Sequence, residues 1–260
     1  MRRRLVIIGI GGASCSGKTL LAKHVRSVLP SGSTILHQDD FAPPIDQVPY
    51  SKKYGVQDWD DPPTCILWDE FRATLKYIRI HGTLPNLHTS HDHLNKQVEL
   101  ELDPMVKEAW RIEFQRFNAE MNGEGVEVVW FIVDGFVLYW DQQDVVDKLD
   151  IRIFLQVPHD LLKRRREERQ VYVLQNPDDA AAGGVWSDPP NYFEEIVYPA
   201  YIKAHEHLFD NVETGQLKER WTDRLQVVRP REGAEEMTRV FGESCKGIIE
   251  ACRQGKGTFL

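Results

Sequence analysis

Gly12-Ala13-Ser14-Cys15-Ser16-Gly17-Lys18-Thr19 fits the pattern GxxxxGK[ST] at every constant place. The two glycines allow the backbone to curl until successive N–H groups point inward, as needed to surround phosphate oxygens. A helix opening at Lys18 would add its positive dipole end at the same spot. Lys18 offers a full charge to β/γ-phosphates, and the Thr19 hydroxyl can ligate Mg²⁺. The overlapping Gly9-x-Gly11 lacks a third glycine and is a weak dinucleotide-binding signal.

Carboxylates and arginines extend this chemistry. Asp39 and Asp40 follow a short apolar segment, where a carboxylate can take the proton of an attacking hydroxyl or hold a metal-bound water. Asp134 closes the run VEVVWFIV, as the Walker B acid does. Asp58, Asp60 and Asp61 surround Trp59, a combination suited to stacking on a base and bonding sugar hydroxyls. Lys163-Arg164-Arg165-Arg166-Glu167-Glu168-Arg169 places Arg165 and Arg169 on one helical face. Forked cations of that kind suit the dispersed charge of a phosphoryl group in transfer. His88, His91 and His93 with Asp92 match no common zinc framework, and the default reading of their segment is a polar surface loop.

These residues need a scaffold, and the apolar pattern predicts one. Strands are expected at Leu5–Ile10, Thr34–His37, Val126–Val133, Ile151–Val157 and Leu225–Val228. Helices are expected from about Lys18 to Leu29, over Trp68–Ile78 with Gly82 as C-cap, and from Asp103-Pro104 onward. The last of these should bury Met105, Trp110, Phe114, Phe117 and Met121. Further helices are expected up to about Arg169, across Asn191–Phe209 with a bend at Pro199, and over Glu235–Cys252. Ala180 to Gly184 should be a flexible loop. Strands alternating with helices imply an α/β P-loop NTPase fold, a mainly parallel sheet with helices on both faces and an arginine-bearing lid. A single domain is expected over 1–260, with the lid at about 158–190 and an insertion at about 81–102.

A net charge of −8 argues against a nucleic-acid platform. No segment is long and apolar enough to cross a bilayer, and Arg2-Arg3-Arg4 is followed too soon by glycines to begin a signal peptide. Cys15, Cys65, Cys245 and Cys252 show neither CxxC spacing nor disulfide density, so reduced thiols in a cytoplasmic enzyme are expected. On residues alone a GTPase, a motor, a small-molecule kinase and a nucleotide-dependent regulatory module stay open.

Taken together, GGASCSGKT, LHQDDF, Asp58-Trp59-Asp60, IVDGFVLY, FLQVPHDLLKRRREER and NYFEEIVYPAYIKAHEHL resemble the nicotinamide riboside kinases, within the uridine-kinase-like P-loop nucleoside kinases. The resemblance implies phosphorylation of a ribose 5′-hydroxyl with ATP, or GTP, and Mg²⁺. It implies Asp39 as base beside the metal site, and riboside contacts from Asp39, Asp40, Phe41, Trp59, Asp60 and Arg165. It also implies nucleotide contacts from Arg164, Arg169 and residues 12–19, and an adenine-contacting loop near Pro230 to Ala234. Asp134 stands where many members have Glu, and would reach the metal through water. Beside compact members of that family, 173–187 also looks like an insertion. A uridine or cytidine kinase of the same fold is the nearest rival.

Overall fold

A run as apolar as LVIIGI must be covered on both sides, and the computed structural model covers it with helices on each face of one sheet. Residues 1–94, 98–140, 143–169, 171–173, 184–233 and 235–260 are described. The strands in chain order are β1 (Arg2–Gly12), β2 (Thr34–His37), β3 (Tyr50–Ser51), β4 (Val56–Gln57), β5 (Val126–Gly135), β6 (Ile151–Leu155), β7 (Tyr172–Val173), β8 (Val185–Trp186), β9 (Phe209–Asn211), β10 (Gln216–Leu217), β11 (Gln226–Val228) and β12 (Thr258–Phe259). The helices are α1 (Lys18–Val28), α2 (Trp68–His81), α3 (Pro104–Gly123), α4 (Gln143–Val146), α5 (His159–Arg169), α6 (Tyr198–His205) and α7 (Glu236–Arg253).

The central sheet runs β11-β6-β1-β5-β2 with every pairing parallel, and β12 adds antiparallel to β1 at Arg4 and Leu5. β1 has β5 on one side and β6 on the other, while the α1 crossover carries the chain past β5 to β2. The order therefore reverses at β1, and a crevice opens beyond its carboxyl end, where open α/β sheets bind ligands. On one face Leu5, Ile7, Leu36, Phe131 and Val133 pack under Phe71, Leu75 and Ile78 of α2. On the other, Val6, Ile8, Ile10 and Ile132 meet α1, α3 and α7, through Leu21, Val25, Phe114, Phe241 and Ile248 among others. Such alternation on a strand apolar throughout is the mark of a sheet buried on both faces.

Local chemistry sets the helix ends. Asp103 accepts the Met105 and Val106 N–H groups at 2.8 and 3.0 Å, with Pro104 in the first turn. Gly82 ends α2 in the left-handed region at φ 65°, its N–H donating to the Ile78 carbonyl at 2.8 Å. Gly9 and Gly11 serve Tyr139 rather than a dinucleotide. A Cβ on Gly11 would stand 2.4 Å from the tyrosine ring, and the buried hydroxyl donates to the Gly9 carbonyl at 2.7 Å.

Three expectations change. β1 begins at Arg2, and Arg4 is buried with its guanidinium donating to the Cys252 carbonyl at 2.8 Å. Met105 is 82% exposed, because α3 turns Phe114 and Phe117 to the core. The bend near Pro199 is a π-helical turn, Phe193–Val197, running into α6; the Tyr198 N–H donates to the Phe193 carbonyl five residues back, and Pro199 has no N–H to continue that ladder. The flexible loop expected at Ala180 to Gly184 falls, except for Gly184, outside the described residues, as does most of 173–187. Among the described residues no helix is long and apolar enough to cross a membrane.

Candidate active site

The chain leaves β1 through a strained turn. Gly12 has φ 146°, and a Cβ there would meet the Leu155 carbonyl oxygen at 2.7 Å. Ala13 accepts the Ser16 N–H at 3.1 Å, Cys15 sits at φ 62° and Gly17 at φ 93°. A non-glycine residue in the left-handed region marks a backbone held by function or neighbours. Gly17 caps α1 without a side-chain hydrogen bond, leaving first-turn N–H groups for an anion. Ser14, Cys15, Gly17, Lys18 and Thr19 line a cavity of about 630 Å³. Lys18 is buried, and Ser16 Oγ is buried with no hydrogen-bond partner among the described residues.

Three side chains meet beside the loop at the ends of β2 and β5. The register sets His37 opposite Asp134. His37 Nδ1 lies 2.6 Å from Asp134 Oδ1, and the Thr19 hydroxyl donates to Asp134 Oδ2 at 2.5 Å. Burial works against the charged imidazole, but the carboxylate outweighs it and raises His37 to about 9. Burial would likewise raise Asp134, yet His37, Lys18 and the Thr19 hydroxyl together hold it below the ordinary carboxylate range. Asp39 behaves in the opposite way. Its Oδ1 is buried with no hydrogen-bond partner among the described residues, and burial, reinforced by Asp134 and opposed by Lys18 and Arg169, pushes its proton affinity up.

Trp59, Asp60, Tyr172 and Trp186 line the same cavity, with the Tyr172 hydroxyl 3.3 Å from Cys15 Sγ of the phosphate loop. Asp58 Oδ1 accepts the N–H groups of Asp60 and Asp61 at 3.1 and 3.0 Å, which fixes the turn carrying Trp59. The Tyr192 hydroxyl accepts the Trp59 N–H at 3.0 Å and donates to the Gln57 carbonyl at 3.1 Å. The Trp59 and Trp186 rings stand 6.0 Å apart at 60°. Trp59 Nε1 and Asp60 Oδ2 are buried without hydrogen-bond partners among the described residues. Burial raises Asp60 to about 6, against the pull of Arg166 Nη2 at 3.9 Å.

The arginines of α5 divide among separate tasks. Arg166 is 6% exposed; it grips Asp188 with Nε and Nη2 at 2.5 and 3.0 Å, and Asp188 also accepts the Trp186 indole N–H at 2.9 Å. Arg165 lies over the phosphate loop, Nη1 3.5 Å from the Ser16 carbonyl, and lines the same cavity as Trp59 and Asp60. Arg169 lines the cavity with its guanidinium 4.0 Å from the centre of the Tyr172 ring. Arg164 points away, exposed and paired with Glu232, because the position before Arg165 falls on the outer side of the helix. Glu232 belongs to the loop expected to contact adenine, of which Ala234 lies outside the described residues.

Asp40 and Phe41 do not line the cavity. A tight 3-10 turn, Gln38–Phe41, sends consecutive side chains in different directions. Asp40 Oδ1 accepts the His91 N–H at 2.9 Å, and its Oδ2 is 3.5 Å from His88 Nε2. Phe41 packs on Phe71 at 5.1 Å and stacks on His88 at 5.7 Å. The histidine segment is therefore docked on the turn rather than standing free as a surface loop, and Asp92 reaches the cavity while pairing with Lys23 at 2.6 Å. Among the described residues no three His, Cys, Asp or Glu side chains converge as a metal-binding group.

Sequence reasoning did not single out His37, Arg166, Trp186 or Tyr192 as site residues. The local signal available for His37 was a polar residue ending an apolar strand next to Asp39. For Arg166 it was membership of the cluster.

No family model matches the chain. Curated relatives do. It is 36% identical to the nicotinamide riboside kinase of Schizosaccharomyces pombe, over 84% of this chain and 86% of that one. Identity to the nicotinamide riboside kinase of Saccharomyces cerevisiae is 32%, over 80% and 81% of the two chains. To that of Eremothecium gossypii it is 30%, over 80% and 79%. With that much identity running through most of both chains, the protein belongs to the nicotinamide riboside kinase family.

Proposed function

We propose that this kinase transfers the terminal phosphate of ATP to the 5′-hydroxyl of nicotinamide riboside, giving nicotinamide mononucleotide. The observation that carries the reading is that one cavity is lined both by phosphate-loop residues and by the aromatic and carboxylate side chains of Trp59, Asp60 and Trp186. Asp39, whose Oδ1 has no partner among the described residues, also lines it. One carboxylate oxygen of Asp39 takes the proton of the 5′-hydroxyl as the oxygen attacks, which leaves the other for the metal; a raised proton affinity suits a carboxylate to that work. Lys18, Arg165 and Arg169 neutralise charge on the transferring phosphoryl oxygens. Arg164, turned outward, is left out of that set. Trp59 and Trp186 offer π faces to the cationic nicotinamide ring, and the carboxylate of Asp60 in the same cavity favours its charge. The buried Asp60 Oδ2 can accept a ribose hydroxyl, and Trp59 Nε1–H can donate to the carboxamide oxygen.

The donor set fits Mg²⁺. Thr19 gives its proton to Asp134, which leaves hydroxyl lone pairs for a hard cation, and Asp39 brings a carboxylate oxygen without a partner. Thr19 and Asp39, with Asp134 through water, would hold the ion, and phosphate and water would complete its shell. Bound there, Mg²⁺ supplies neutralisation of the β/γ-phosphate oxygens. The four cysteines are free thiols, in keeping with a reducing cytoplasm.

ADP release from the purified protein, measured with nicotinamide riboside, uridine, cytidine and pantothenate, tests the proposal. Turnover with nicotinamide riboside well above the other three is expected. Strong release with uridine and none with nicotinamide riboside would refute it.

A further inference from the structure

Asp134 has two carboxylate oxygens, and each is already engaged within the protein. Oδ2 accepts the Thr19 hydroxyl at 2.5 Å, and Oδ1 meets His37 Nδ1 at 2.6 Å. The two side chains are 9% and 3% exposed. His37 and Asp134 face each other across the β2–β5 ladder, so the contact is set by sheet register and not by a loop. The terminal torsion of an aspartate is broad, and an unheld carboxylate can rotate its plane. A carboxylate pinned at Oδ1 presents Oδ2 in one direction only. Thr19 has a single hydroxyl proton; once that proton is given to Oδ2, its lone pairs are directed away from Asp134.

From this geometry we infer that His37 is a positioning residue for the nucleotide–metal end of the site. Its Nδ1–H fixes the carboxylate plane of Asp134, and Asp134 in turn fixes the Thr19 hydroxyl with its lone pairs offered to Mg²⁺. His37 acts through Asp134, without contact to the transferring phosphate. The inference rests on Mg²⁺ binding at Thr19 and does not depend on which hydroxyl is phosphorylated.

Two variants separate this role from space-filling. His37→Phe keeps a ring of similar volume and removes the donor; His37→Asn keeps a nitrogen donor near the Nδ1 position and loses volume. ATP binding to the full chain is measured by calorimetry in EDTA and across a Mg²⁺ series, with thermal melting to verify folding. In EDTA both variants should bind ATP as the wild type does. The Mg²⁺ concentration for half of the affinity gain should rise roughly 10- to 100-fold in His37→Phe, the usual cost of losing a partner that orients a metal ligand, and stay close to wild type in His37→Asn. A wild-type Mg²⁺ requirement in His37→Phe overturns the inference, as does an equal loss in both variants. Should His37→Phe not fold, His37→Asn decides alone: a retained Mg²⁺ response supports the role and a lost one overturns it. A wild-type protein without any Mg²⁺-dependent gain overturns the metal reading and this inference together. Failure to phosphorylate nicotinamide riboside strikes only the substrate assignment.

Discussion

Replacing Arg166 by Met tests whether this arginine is a buried strut of the riboside pocket or a phosphate-binding lid cation. The side chain is 6% exposed, between Asp188 at 21% and Asp60 at 9%. Methionine would fill much of the volume but leave both carboxylates without their cation. Removing one partner of a buried ion pair costs about 3–5 kcal/mol, and the part-exposure of Asp188 puts the expected loss near 3. For a chain of this size that lowers Tm by roughly 6–12 °C. The loss should shrink at acid pH. Asp60 already titrates at about 6, and without Arg166 it moves higher. Its ionised form is the costly one, so lowering the pH from 8 towards 5 neutralises the carboxylate and relieves the variant more than the wild type. Chemical denaturation at both pH values measures the difference. Kinetics supply the second arm: KM for nicotinamide riboside should rise while KM for ATP holds, because Arg166 contacts the wall and not the phosphate loop. Arg166→Lys, which keeps charge without the fork, should recover part of the stability. A Met variant within about 1 kcal/mol of wild type at pH 8, or one whose loss falls on ATP, would refute the reasoning.

Asp39→Ala should abolish turnover yet leave ATP binding largely intact, as single-turnover kinetics beside calorimetry would show; near-normal turnover removes Asp39 from the base role. His205, which does not line the cavity, supplies a pH effect of its own. Fully buried, it is lowered from 6.5 to about 4, chiefly by desolvation. The unfolded chain therefore takes up a proton below pH 6.5 that the native protein refuses until near 4. Stability is complete above 6.5 and falls as the pH drops through that window, by about 3 kcal/mol in all. Denaturant midpoints of wild type and His205→Leu between pH 8 and 5 give the comparison; parallel slopes would contradict it.

How much of this was legible in the sequence depended on the range of the interaction. The phosphate loop is local: glycine positions, one lysine and one threonine specify a turn whatever the distant residues do. Strand ends such as His37 and Asp134 were visible for the same reason, since an apolar run stops where the core stops. The bond between those two was not, because 97 positions separate them and only the register of β2 on β5 brings them together. The arginine helix failed differently. Cations at 163–166 present charge on every side, so periodicity could not tell inward Arg166 from outward Arg164. Asp39 and Asp40 are indistinguishable as a pair of letters, and the 3-10 turn decides which one faces the cavity. Met105 was assigned to the core by residue type, whereas the face of α3 is set by the larger Phe114 and Phe117.

The pair of tryptophans that lines the cavity has an optical consequence. Of seven tryptophans, Trp59 and Trp186 line that cavity, and their rings are 6.0 Å apart, while Trp68, Trp130 and Trp221 are sealed in the interior. An oxidised pyridinium placed against excited indoles accepts an electron and darkens them. Occupancy by nicotinamide riboside should therefore be visible as loss of the protein's own emission, without label or coupled enzyme, whereas a uridine of equal affinity would leave the cell bright.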